Sequence, residues 1–163
     1  MNFIPLRHEK AYTILENVRK QAEAYAQQVG KTQNLKMRVE ALRPVHLGLT
    51  ATTYKLEYSS GNEKKYTLTQ NCGIFLAGIM QYESGMTHIT IRNGQNLLGV
   101  WTTRPVFKYQ EQAGIYTGNV ENYSFRSGES MGVQIAGVTA DPDAWLIGYA
   151  VMPESLVNSK IVA

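Results

Sequence analysis

Ala11, Leu15, Val18, Ala22, Tyr25 and Val29 follow one another at alternating steps of four and three residues, with mostly polar positions between them. That spacing is the stripe of an amphipathic helix, with a period of about 3.5 residues, and it predicts a helix from about Arg7 to Val29. Gly30 stands where a C-terminal cap is expected, with Lys31 just beyond it. The stripe is short and contains two alanines, so it cannot hold a coiled coil unaided. It either packs on the chain's own sheet or joins copies of the chain around a symmetry axis.

After Gly30 the period becomes two. Met37, Val39 and Ala41 alternate with Lys36, Arg38 and Glu40; Tyr54, Leu56 and Tyr58 alternate with Lys55 and Glu57; Tyr66 and Leu68 follow Ser59-Ser60-Gly61-Asn62. These are half-buried antiparallel strands, the last two forming a hairpin. Gly73 to Tyr82 is nearly all apolar, as a strand covered on both faces would be. Thr87–Arg92 and Gln95–Thr102 flank Asn93-Gly94, a strong hairpin signal. Arg104 to Tyr109 is a further strand, whose Pro105 suits an edge or a start. Tyr123 and Phe125, then Met131, Val133 and Ile135, then Trp145, Ile147, Tyr149 and Val151 complete the series. Strands recurring about every ten residues with one helix predict a mainly β protein, an antiparallel β-sandwich of jelly-roll type behind an N-terminal amphipathic helix. The expected division is an arm and helix over 1–34, a β-sandwich over 35–153, and a tail over 154–163 whose apolar Leu156–Ala163 stretch must dock on something.

Composition sharpens this picture. At 163 residues and 18% charged the chain suits one globular domain. Cys72 is the only cysteine, so neither an internal disulfide nor a cysteine-based zinc site can form. No apolar run approaches the roughly 20 residues that span a bilayer, and none near Met1–Arg7 suits a secretory leader, so synthesis in the cytoplasm is expected. The net charge of +3 is concentrated in residues 1–40, which hold seven basic and four acidic groups. Arg19 and Lys20, off the apolar stripe, are the candidate contacts for an anionic partner, nucleic acid included.

No motif announces catalysis. His8, His46 and His88 have no metal-ligand spacing, and His88 suits a hydrogen-bonded sheet position. Cys72 lacks a basic neighbour to lower its pKa and suits an inert apolar site. Asp141 and Asp143 are the best oxygen-ligand pair, but an Asx-type turn around Pro142 accounts for them without a metal. Glu83, Glu111, Glu121 and Glu129 offer carboxylates, and their spacing leaves open whether any two face one cleft. No phosphate-binding glycine loop occurs. Asn122-Tyr123-Ser124 matches a glycosylation acceptor, which carries no weight without a secretory leader. Tyr54, Tyr58 and Tyr66 form either a stacking platform for sugars or bases or ordinary cross-strand pairs. No catalytic, cofactor or metal residues are therefore assigned.

The helical segment followed by eight or so short strands, over residues 36–152, resembles the single jelly-roll structural proteins of virus particles. The segment Tyr123-Ser124-Phe125-Arg126-Ser127-Gly128-Glu129-Ser130-Met131 is similar to the turn before a late strand of such rolls. The resemblance implies a non-catalytic structural subunit of a homo-oligomeric assembly, a phage or virus particle being the type case, with self-association and contacts to other virion proteins. Leu15, Val18, Ala22 and Tyr25 are then the expected subunit contacts, since interface cores are poor in charge. A ligand- or carbohydrate-binding β-sandwich and a small β-fold enzyme stay open beside it. Because no three or four ligands are spaced for a metal, EDTA should leave the melting temperature unchanged. A large fall would reveal a site, with Asp141 and Asp143 the first to test.

Overall fold

A computed structural model describes residues 2–5, 9–49, 62–83, 88–94, 96–102, 114–117, 123–136 and 143–163. The strands expected over 54–58 and 104–109 lie outside the described residues. Helix α1 runs Glu9–Gln33, a full turn past Gly30. Asn34, at φ 52°, takes the left-handed position instead, and the Leu35 N–H donates to the Gly30 carbonyl at 3.1 Å. That is a Schellman closure with asparagine in the glycine's usual place. Gly30 serves the return of the chain: a Cβ there would lie 3.0 Å from the Leu35 carbonyl oxygen. No helix among the described residues is long and apolar enough to cross a membrane.

The first sheet contains β1 (Asn2–Pro5), β2 (Met37–Ala41), β4 (Gly73–Glu83), β7 (Gly114–Thr117), β8 (Ser124–Phe125) and β10 (Asp143–Pro153), in the order β1-β7-β4-β10-β2. Strands β7 and β8 share one side of β4 end to end, opposite Ile79–Gln81 and Ile74–Phe75 respectively. The second sheet is β3 (Lys64–Thr67), β9 (Ser130–Ala136), β5 (His88–Asn93) and β6 (Asn96–Thr102), in the order β3-β9-β5-β6. Every pairing is antiparallel. From β2 onward the described strands alternate between the sheets, except that β5 and β6 form a hairpin in the second, where Gly94 has φ 59°, and β7 and β8 both lie in the first. Strands β2-β10-β4-β7 facing β3-β9-β5-β6 is the winding of a jelly roll. Strand β1 adds to it beyond β7.

Alternation along β4 divides its side chains between two layers. The Phe75 ring meets the Tyr25 ring of α1 at 5.6 Å, so Gly73, Phe75 and Ala77 face the helix. Ile74 and Leu76 face the second sheet, together with Phe125 and Ala150, which are Ile74's partners across the strands. Ile89, Ile91, Met131, Val133 and Ile135 meet them from the other side in one continuous core. The outer face of the second sheet is polar, with Lys65, Thr67, Thr90, Ser130 and Gln134, and with Arg92 3.7 Å from Glu63. At Gly148 a bulge brings β10 so close to the Phe75 carbonyl that a Cβ has no room.

The helical stripe therefore packs in cis. Val18, Ala22, Tyr25 and Ala26 are buried against β2, β4 and β10, and Leu15 and Val29 pack half-buried beside them. Asn2–Pro5 likewise pairs with β7. The apolar surface of the first sheet is the physical reason, because it needs a second cover and the stripe supplies it. Replacing Tyr25 by Ala should lower stability by about 3–5 kcal/mol, as emptying other buried aromatic sites does. Lys20→Ala, on the exposed face, should change it by less than about 0.5 kcal/mol. Urea denaturation measures both, and equal effects would contradict packing in cis.

Candidate functional site around His46

Past Ala41 the chain stays on β10 for one more residue, the Leu42 N–H donating to the Gly148 carbonyl at 2.9 Å. The Trp145 indole N–H holds the Leu42 carbonyl at 3.2 Å. Pro44 then opens a single 3-10 turn, Pro44–Leu47, where its fixed φ and missing N–H suit the first position. Gly48, at φ 74°, closes it.

Within this turn Arg43 and His46 bond reciprocally. The His46 N–H donates to the Arg43 carbonyl and the Arg43 N–H donates to His46 Nδ1, both at 3.0 Å. Nδ1 is an acceptor, so the neutral ring carries its proton on Nε2. His46 is wholly buried, and Nε2 has no hydrogen-bond partner among the described residues. The nearest carboxylate oxygen, Glu40 Oε2, is 3.5 Å away. Arg43 holds that same oxygen at 2.9 Å and reaches Asn158 Oδ1 at 2.6 Å. Burial holds the His46 pKa below the ordinary imidazole value, and Arg43 adds to this, while Glu40 pulls the other way. The ring is a sealed, neutral histidine with a carboxylate close by.

The other sequence-predicted residues are dispersed. Val18, Ala22 and Tyr25, expected as subunit contacts, are buried in the chain's own core, and Leu15 packs half-buried against it. Tyr25 also donates through its hydroxyl to the Cys72 carbonyl and accepts the Ser127 N–H, both at 3.2 Å. The Arg126 guanidinium lies 5.6 Å from the Tyr25 and Phe75 ring centres. Arg19 pairs with Glu16 at 2.6 Å and lies 3.6 Å from Glu23, so two carboxylates stand beside the charge expected to meet an anion. Lys20 is exposed. Leu156–Ala163, expected to dock, docks on this chain, with Ile161 and Val162 buried.

Cys72 is buried, its Sγ 3.2 Å from the Thr69 hydroxyl, and burial pushes the thiol pKa up. Glu129 braces its loop, accepting from the Arg126 N–H and from Asn93 Nδ2, both at 2.8 Å. Tyr66 is buried on the inner face of the second sheet and cannot join a stacking platform; Tyr54 and Tyr58 lie outside the described residues. Asp143 opens β10 opposite Glu83, with both side chains outside the described set. His8, Glu111, Glu121, Asn122 and Asp141 also lie outside it, as does the side chain of His88. No group of three metal-ligating side chains comes together among the described residues. An open groove of about 520 Å³ at the end of α1 is lined by Ala26, Gln27, Gly30, Lys31, Asn34, Leu35 and Met37.

Glu40 and Arg43 are the residues that sequence reasoning missed. The available signal was Pro44 directly after an alternating strand, which marks a tight turn and places residues 40, 43 and 46 near one another. Comparison with protein families, with curated proteins and with solved structures found no match. Since burial disfavours the thiolate, Cys72 should resist a thiol reagent in the folded protein and react at once in denaturant. Rapid labelling of the native protein would show that the site opens readily.

Proposed function

We propose that this chain is a non-catalytic structural subunit of a homo-oligomeric assembly, of the kind that single jelly rolls build in virus and phage particles. The observation that carries the reading is the interior of the roll. The space between the sheets is filled by Ile74, Leu76, Phe125, Met131, Val133 and Ile135, in the strand order of a jelly roll. A roll that binds or transforms a small ligand inside itself keeps room there, whereas one that serves as a building block fills it. The low charged fraction of 18% agrees with surfaces meant to meet one another. With the helical stripe and the Leu156–Ala163 stretch occupied in cis, the loops and remaining strand edges are left to make the contacts.

Light scattering coupled to size-exclusion chromatography, with electron microscopy of concentrated samples, tests this. Oligomers or closed particles are expected at high micromolar concentration. A monodisperse 18.2 kDa species there would count strongly against the proposal. Changing Leu15 and Val18 to alanine should lower stability rather than separate folded subunits.

A further inference from the structure

Ile161–Ala163 lies alongside Thr67–Thr69, at the end of β3. Beyond the short turn Glu154–Leu156 the chain reverses at Asn158, which has φ 61°. The Ile161 N–H then donates to the His46 carbonyl at 2.9 Å, and the Ile161 carbonyl accepts the Thr69 N–H at 3.0 Å. Val162 bridges Leu68 antiparallel, and the Ala163 N–H donates to the Thr67 carbonyl at 2.8 Å. Strand β9 holds the other side of this segment, so Ile161–Ala163 pairs the Thr67 carbonyl and the Thr69 N–H, which point away from β9. It is clamped between that segment and the His46 turn, and Arg43 fastens Asn158 from the same turn.

The turn holds only while His46 Nδ1 remains an acceptor. Ionisation places a proton on Nδ1, which then faces the Arg43 N–H donor, and two donors cannot share that contact. At the same time Nε2–H gains a full positive charge 3.5 Å from Glu40, which rewards any movement of the ring toward the carboxylate. The charged groups that bear on the ring among the described residues are Glu40 from β2 and Arg43 from the turn. From the docked stretch, Asn158 is neutral and the Lys160 stem lies across Gly48. We propose that His46 is a proton-operated latch: its ionisation opens the Pro44–Leu47 turn, frees Ile161–Ala163 and uncovers the Thr67–Thr69 backbone for another strand.

The direction follows from linkage and is independent of the assembly reading. Burial makes the docked state take up the proton less readily than the released state. Docking is therefore at full strength above the ordinary imidazole value of about 6.5 and weakens as pH falls through it. Hydrogen exchange on the full chain tests the latch, with rates corrected for the intrinsic effect of pH. Between about pH 7.5 and pH 5.5, protection of the Ile161, Ala163 and Arg43 amides should fall several-fold, by roughly 3- to 10-fold, while Ile74 and Leu76 hold theirs.

His46→Asn offers an amide oxygen where Nδ1 stood and has no proton to gain, so its Ile161 and Ala163 protection should be equal at both pH values. PH-independent protection in the unaltered protein, or an equal fall in the variant, would overturn the latch. The NMR titration of the His46 ring needs no variant and decides the matter if His46→Asn does not fold. Its midpoint must coincide with the loss of Ala163 protection, and a ring that titrates while Ala163 stays protected refutes the proposal. Glu40→Gln, which removes the carboxylate that favours the charged ring, should move that midpoint to lower pH.

Discussion

Strands β4 and β10 lie side by side with apolar neighbours above and below, and most of the molecule answers to that requirement. From Gly73 to Gly78 every residue of β4 is buried, and Trp145, Leu146, Ala150, Val151 and Met152 of β10 are buried with them. A sheet apolar on both faces needs two covers, and an open sandwich supplies one. Helix α1 is the second cover. Its small residues, Ala22 and Ala26, let its backbone approach, and Tyr25 reaches the Phe75 ring and the Cys72 carbonyl. The Arg126 guanidinium then spreads over both rings, adding a cation–π contact. Remove the helix and the central strands face water.

The alternation of Met131, Val133 and Ile135, and of Trp145 through Val151, made strands β9 and β10 legible, because one face of each meets the core and the period follows. Asn93-Gly94 marked its hairpin, although Gly94, at φ 59°, is the first residue of the loop and Asn93 stays paired with Asn96 at the end of β5. Features fixed by distant partners were less legible. A periodic stripe shows that Leu15, Val18, Ala22 and Tyr25 are covered, but the period is the same whether the cover is this chain or another. Strand β1 has only four residues, too few to establish a period. Gly30 carried a cap signal that Asn34 fulfilled, since the close approach of Leu35 decided where the helix could turn. The site at His46 was the least legible. Its meaning depends on Glu40, Arg43 and Asn158, and Asn158 lies more than a hundred residues further along the chain.

A filled roll and a sealed histidine fit together physically. The described core residues pack closely between the sheets, and His46 sits apart from them at the seam where one strand ends and the 157–163 stretch docks. Seams are where a rigid sandwich can open in part without losing its core, because the stretch at risk is held by a few hydrogen bonds and two buried side chains.

The place of β10 in the chain has a kinetic consequence. This strand lies between β2 and β4 in space, yet among the described strands it comes last in the sequence. Strand β2 must wait about a hundred residues for its partner, and β4 some sixty, so the first sheet has no centre while most of the chain is being made. Contacts between residues so far apart in sequence slow folding, and until they form the apolar faces of β2 and β4 stay open to other chains. Synthesis of this protein therefore passes through a long interval in which it depends on dilution or on chaperones, and that interval ends when Asp143–Pro153 slides into the gap.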